Sequence, residues 1–99
     1  MNLGRVTGKI WATRKVDSFT GRRLLIVQPM NFRGRDVGTT EVMLDTVDAG
    51  EGDTVIYVSS SEASIPFPEP TPAAATIVGV VDRVDHVDGS WVPRDGSMS

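Results

Sequence analysis

Residues 24–27 read Leu-Leu-Ile-Val, a compact run of bulky apolar residues that is followed at once by Gln28 and Pro29. A run this short, with β-branched residues in it and a proline close behind, is typical of a β-strand. Pro29 has no N–H to donate to a sheet, so it is expected to mark the end or an edge of the strand. No window of about a dozen residues holds a helical stripe, and the predicted fold class is therefore all-β.

The first segment of the chain alternates with period two. Gly4, Val6, Gly8, Ile10 and Ala12 are predicted to share one face of a strand. Two glycines on an apolar face suit a tightly curved sheet or a close approach of backbones. Three further strands are predicted near residues 40–44, 54–58 and 76–87.

The connections between these segments carry turn-forming residues. NFRGRDVG (31–38) and DTVDAGEGD (45–53) are glycine-containing and predict turns. SSSEAS (59–64) predicts one short helical turn, and the prolines after it force extended backbone. Five short strands with one longer connection predict a small, partly open barrel of the oligonucleotide-binding type. This domain is expected to span residues 1–87, with a loosely ordered tail, 88–99, that is partly disordered or packs on a neighbouring subunit.

Three of the predicted strands are apolar on both faces, whereas a solitary antiparallel barrel should alternate apolar and polar residues. Either loops of the same chain cover the second face, or neighbouring subunits do. Each apolar side chain transferred to an interface contributes on the order of 1.5–3 kcal/mol, more than an exposed ion pair. The residues predicted to form a subunit interface are Trp11, Leu25, Val27, Val78 and Val80.

Composition excludes several classes of protein. With 99 residues and no cysteine, the chain has room for one small domain, without a disulfide framework or a thiolate metal site. The first residues lack the apolar stretch of a secretory signal, and the apolar run 73–81 is shorter than the roughly 18–20 residues of a membrane-spanning helix. A cytoplasmic protein is therefore expected.

Charge is segregated along the sequence. Residues 1–35 carry a formal charge of +7 and the remainder carries −10, for a net charge of −3. This pattern fits a basic face for an external polyanion, or two complementary faces that meet between copies of the chain. It fits equally well with scattered, solvated charge, because strands that are distant in sequence interleave in space.

No catalytic constellation emerges from the residues. His86 lies in DRVDHVDG, but neighbours on a strand alternate faces and do not converge on a metal, so a solvent-facing histidine is expected. Gly50-Glu51-Gly52 is interpreted as a tight turn, since the acids around it would repel phosphate. The sequence therefore predicts no enzyme activity, no cofactor and no metal site.

Five collinear blocks of the chain resemble the EutN/CcmL family of pentameric vertex proteins of bacterial microcompartments. The blocks are LGRVTGKIWAT, TGRRLLIVQP, VDAGEGDTVIYV, SSSEAS and ATIVGVVDRVD, and together they run from about residue 1 to 87. The sequence departs from the family at the proline-rich IPFPEPTP and in the tail after Asp88.

The resemblance implies a five-stranded barrel that assembles as a homo-pentamer and closes a vertex of a shell built mainly from hexameric proteins. It also implies a narrow axial opening. The turn formed by Asp48, Ala49, Gly50, Glu51 and Gly52 is predicted to lie near that axis, because small residues allow five backbones to crowd together. The rival hypothesis is a module that binds single-stranded nucleic acid, with Trp11, Phe19 and Phe32 as stacking platforms.

Overall fold

The fold is known from a computed structural model that describes residues 1–11, 23–59 and 75–93. These residues form seven strands and, within those ranges, no helix long and apolar enough to cross a membrane. The strands are β1 (Asn2–Ile10), β2 (Arg23–Met30), β3 (Glu41–Asp45), β4 (Thr54–Ser59), β5 (Ala75–Val80), β6 (Val84–His86) and β7 (Gly89–Trp91). The all-β prediction is confirmed. The predicted helical turn began at Ser59, which is the last residue of β4, and the rest of it lies outside the described residues, as does the proline-rich segment.

Five of the strands close into a barrel in the order β1-β2-β3-β5-β4. β1 pairs antiparallel with β2 on one side and with β4 on the other, which completes the ring. β5 pairs parallel with β3 and antiparallel with β4. The predicted five-stranded barrel is thus confirmed, and it is closed where the sequence predicted a partly open one.

The barrel interior is filled by apolar side chains from all five strands and from the β3–β4 loop. Burial of these side chains supplies the main stabilising free energy of so small a domain. Desolvation, and secondarily the Glu41 carboxylate, raise the pKa of Tyr57, so its phenol stays neutral at physiological pH. The core consists of Val6, Leu25, Val27, Met43, Ala49, Val55, Tyr57, Ala75 and Ile77.

A β-bulge divides β1 into two parts, and the alternation of inward and outward side chains reverses between them. Before it, Val6 pairs with Val27, and both belong to the core. After it, Gly8 pairs with Ile26, so Thr7 is the extra residue. One extra residue moves every later side chain to the other face of the sheet. The prediction that one face runs unbroken from Gly4 to Ile10 is therefore wrong beyond Val6.

Gly4 is the position where the barrel needs a glycine. A Cβ built there would lie 2.5 Å from Val27 Cγ1 and 3.3 Å from Tyr57 Cε1, inside the filled core. Gly8 differs, because its Cβ would stand 3.4 Å from Ile26 Cδ1 on the outer surface. The predicted close approach of backbones is confirmed at the first glycine, while the second lies on the opposite face.

The last strand of the barrel, β5, is shorter than the sequence predicted. β5 ends at Val80, whereas a strand from 76 to 87 was expected. β6 and β7 then form a separate antiparallel hairpin in which Val84 pairs with Trp91. This hairpin spans the predicted boundary between residues 87 and 88. The start of the tail is thus an ordered strand, and residues 94–99 lie outside the described chain.

Substituting Gly4→Ala tests the tight core. We expect it to lower the free energy of unfolding by about 1–3 kcal/mol, because the new methyl group overlaps the buried Val27 side chain. Urea denaturation followed by circular dichroism measures the change. Gly8→Ala is the control, and equal destabilisation by the two substitutions would contradict this description of the core.

Candidate functional site

Among residues 1–11, 23–59 and 75–93, no group of three or more His, Cys, Asp and Glu side chains could hold a metal ion. The one histidine of the chain serves a structural contact. His86 Nε2 lies 2.6 Å from the carbonyl oxygen of Phe32, an acceptor, so this nitrogen carries the proton. The side chain is half-buried. His86 is thus tied to the chain where a solvent-facing side chain was expected.

The outer surface of β1, β2 and β3 carries an apolar patch, which we call the β2 face. Strand pairing aligns it in two rows, one of Ile10, Leu24 and Leu44 and one of Gly8, Ile26 and Val42. Leu44 is fully buried within the chain, but Ile10 is 38% exposed and Val42 is 45% exposed. Leu24 and Ile26 are half-buried. The β2 face therefore presents a contiguous apolar surface to whatever meets it.

The predicted interface residues of β2 point the other way. Leu25 and Val27 are both 0% exposed and pack in the barrel core of their own chain. Their side chains cannot contact a neighbour, so this part of the predicted interface is corrected. The outward residues of the strand are Leu24 and Ile26.

β5 carries a second apolar surface. Its pairing with β4 shifts between Ile56 and Tyr57, which leaves Val78 without a partner in the register. Val78 is half-buried, and Val80 is 45% exposed at the end of the strand. Gly79 lies between them and pairs with Ile56. We call Val78–Val80 the β5 strip.

Trp11 follows the last residue of β1 and is largely exposed. It is 88% exposed, and the ammonium of Lys9 lies 5.7 Å from the centroid of its ring. A contact of this kind at an exposed site contributes about 0.5–1 kcal/mol at most. Trp11 directly follows Ile10, beyond the last residue pair that joins β1 to β2.

The β3–β4 loop closes one end of the barrel around a buried carboxylate. The side chain of Asp45 is 1% exposed and accepts hydrogen bonds from the backbone N–H groups of Val47 and Ala49. Arg23 lies beside it, donates to the Asp48 carboxylate, and also donates to the Ala49 carbonyl. Ala49 is thereby held in the core.

The tip of this loop is a tight turn, as predicted. Asp53 N–H donates to the Gly50 carbonyl at 3.1 Å, and Gly50 N–H donates to the Asp53 carboxylate at 2.8 Å. Gly52 has φ +90°, a conformation that favours glycine. Gly50 is different, since its φ is unremarkable and an added Cβ would meet, among the described residues, only Asp53 Oδ2, at 3.8 Å. The turn is anchored to Val6, whose N–H and carbonyl bond Asp53 and Gly52.

The hairpin β6–β7 is clamped onto the loop after β2. Arg33 donates two hydrogen bonds of 3.0 Å to the Asp88 carboxylate. The Phe32 carbonyl accepts from Trp91 Nε1 at 3.0 Å, in addition to its contact with His86. The hydrogen bond from Arg33, above all, lowers the pKa of Asp88. Sequence analysis missed this clamp, because its partners lie more than fifty residues apart.

A family model described as "Ethanolamine utilisation protein EutN/carboxysome" matches residues 1–82. The chain belongs to the EutN/CcmL family. The bacterial microcompartment shell vertex protein GrpN of Rhodospirillum rubrum is 36% identical over 89 residues, which cover 89% of this chain and 100% of GrpN. PduN of Salmonella typhimurium, also a shell vertex protein, is 36% identical over 89 residues, with 85% of this chain and 98% of PduN covered.

Solved structures of EutN/CcmL proteins share the fold of this chain. The pentameric microcompartment shell protein GrpN superposes with a TM-score of 0.78 at 37% identity, covering 88% of this chain and 100% of that chain. EutN of Escherichia coli gives a TM-score of 0.80 at 30% identity, with coverage of 91% and 94%. The family resemblance noted in the sequence is thus confirmed.

Two of the aromatic residues proposed for nucleic-acid stacking lie far apart. Trp11 follows the end of β1, which pairs with the start of β2, while Phe32 follows the end of β2. Seven or so residues of extended strand separate them, roughly 20 Å or more. Phe19 lies outside the described residues. Trp11 and Phe32 do not form one stacking platform, and this geometry disfavours the nucleic-acid hypothesis.

The Arg33–Asp88 pair makes the clamp sensitive to acid. Because the pKa of Asp88 is lowered in the folded chain, its contribution is complete above the ordinary carboxyl range and is lost as pH falls through the folded pKa. We expect the indole N–H resonance of Trp91 to shift toward that of exposed Trp11 in acid, and partly so at neutral pH in Asp88→Asn. Asp85→Asn, whose partner is Arg83 within the same hairpin, is the control. An identical Trp91 resonance in both variants would count against the clamp.

Proposed function

We propose that this chain is a structural shell protein that forms homo-pentamers at the vertices of a bacterial microcompartment. The observation that carries the proposal is the exposed apolar β2 face on a barrel whose EutN/CcmL relatives are vertex proteins with pentameric structures. Such compartments lie in the cytoplasm, which fits the expectation from the sequence. The relatives are structural proteins, and we propose the same non-catalytic role here.

Curvature explains why a shell needs such a subunit. A flat sheet of hexagonal tiles cannot close on itself, and units with fivefold symmetry supply the missing curvature. We propose hexameric shell proteins as the neighbours of the pentamer. No cofactor is required for this role, because a vertex subunit contributes to the shape of the shell and not to a reaction.

A cyclic pentamer requires a heterologous interface, in which one face of a subunit meets a different face of the next. We propose that Trp11, Leu24, Ile26 and Val42 contribute one of these faces. Val78, which has no partner in the β4–β5 register, and Val80, which is 45% exposed at the end of β5, are proposed for the other. Burial of each large apolar side chain contributes on the order of 1.5–3 kcal/mol, so a few of them per contact suffice to hold the ring.

We further propose that the turn from Asp48 to Gly52 lies near the fivefold axis. Gly50 supports this placement, since neither its φ nor a clash with the part of the chain that the structure describes demands a glycine there. Crowding of five copies around the axis would explain why residue 50 is a glycine. The Asp45 and Arg23 contacts would hold the turn at a fixed position relative to the barrel.

Mass measurement under native conditions tests the assembly. We expect a complex of five times the 10.7 kDa chain. Val42→Asp should raise the concentration needed for assembly by about tenfold or more, because a charge cannot be buried without a partner. Val87→Asp, the same change at a fully exposed hairpin residue, should leave the complex intact. A monomeric parent chain at high concentration would refute the proposal.

Disulfide trapping tests the axial turn, since the chain has no cysteine of its own. In Glu51→Cys, neighbouring copies close to the axis should form disulfides on mild oxidation, because bridging requires Cα atoms within about 7 Å. Gel electrophoresis should show two linked dimers and one free chain per pentamer. Val87→Cys should stay unlinked. Absence of linked dimers from an intact Glu51→Cys pentamer would place the turn away from the axis.

A further inference from the structure

Gly79 is a glycine for which the single chain gives no reason. A Cβ built at this position meets no heavy atom of the described residues within 4 Å, and its φ lies outside the left-handed range. Glycine in the middle of a strand is unfavourable, because it costs conformational entropy and packs no side chain. Gly4 differs from it, since the space around that residue is filled by its own core.

The β-bulge beside Gly79 does not account for it. Bulges that require glycine place it in the left-handed conformation, which Gly79 does not adopt. The shift in register lies between Ile56 and Tyr57 on β4, and the residue left unpaired on β5 is Val78. A residue with a side chain would therefore be compatible with the backbone at position 79.

The location of Gly79 suggests what occupies the empty space. It lies on the β5 strip and pairs with half-buried Ile56, so both residues face the outside of the barrel. Val80 pairs with the core residue Val55 and is 45% exposed at the end of the strand. In the closed order β1-β2-β3-β5-β4, the neighbours of β2 are β1 and β3. β4 and β5 therefore form the wall opposite β2. The β2 face and the β5 strip are two apolar surfaces on different sides of one barrel, as a heterologous ring requires.

We propose that the β5 strip of one subunit receives the β2 face of the next, and that Gly79 is the point of closest approach. This inference rests on the proposed pentamer and names the two surfaces that meet in it. The missing side chain at Gly79 leaves room for the branched side chains of Ile26 and Val42 of a second copy. Ridges on one subunit thus meet a depression on the other, and both are apolar.

Gly79→Val tests this pairing. Valine favours strands, and the added side chain starts in space that the described residues leave open, so the isolated barrel should be at least as stable to urea as the parent. Overfilling the interface should nevertheless raise the concentration needed for pentamer formation by about tenfold or more. Ser90→Val, which adds the same side chain to an exposed strand of the hairpin, should assemble normally. If the valine variant does not fold, Gly79→Ala, with a single added methyl group, provides a second test of pentamer formation.

A mixture of two defective chains identifies the partners. Gly79→Val retains an intact β2 face, and Val42→Asp retains an intact β5 strip, so one of each can join through one undamaged contact. Native mass spectrometry should then show a mixed dimer that cannot close into a ring and that neither variant forms alone.

The outcomes separate this inference from the proposed function. A parent chain that forms no pentamer sinks the proposed function. A parent pentamer combined with normal assembly of folded Gly79→Val or Gly79→Ala would overturn the pairing alone. So would the absence of mixed dimers.

Discussion

The interior of the barrel is so narrow that one position admits no side chain, and the rest of the structure depends on this constraint. At Gly4 the backbone of β1 lies against Val27 and Tyr57, and a methyl group there would come within 2.5 Å of a core carbon atom. An interior this small accepts only part of the apolar residues that the strands carry. The remainder must lie outside, where either the chain itself or another copy covers them. Leu44 is covered within the chain, whereas Val42, two residues earlier, is 45% exposed.

The bulge at Thr7 links this core to the loop at the rim. It changes the face to which the side chains of β1 point just after Val6. Val6 itself exchanges backbone hydrogen bonds of 2.9 Å with Gly52 and Asp53. The loop places Ala49 in the core and is braced by Asp45 and Arg23. A carboxylate whose side chain is 1% exposed is costly unless its hydrogen bonds are satisfied, and the backbone N–H groups of the loop satisfy it. The loop is therefore part of the folded core, although its tip reaches solvent.

Much of the fold could be predicted from the sequence, because strand patterns and turn residues are local signals. The class, five barrel strands and the turn at 50–52 follow from such signals and are confirmed. The family, which is also confirmed, came from the resemblance of five collinear blocks of sequence. Which side chains of β2 face the core could not be predicted, because Leu24 to Val27 is apolar at every position and such a run does not distinguish an inner from an outer face. Gly8 directly follows the bulge at Thr7, but a glycine in a strand pattern fits either a bulge or a close approach of backbones, so the face assignment after Val6 was wrong. The hairpin depends on contacts from Phe32 to His86 and Trp91, which a strand pattern does not reveal.

The charge segregation of the sequence has an explanation in pairing within the chain. Three arginines of the basic N-terminal third contact acids from the acidic remainder, namely Arg5 with Asp36, Arg23 with Asp48, and Arg33 with Asp88. These pairs are partly or largely exposed, so each contributes little free energy and is weakened by salt. Because these arginines already pair with aspartates of the same chain, they are less available to an external polyanion. Apolar burial is not screened by salt, and the proposed contact between the β2 face of one subunit and the β5 strip of the next rests on it.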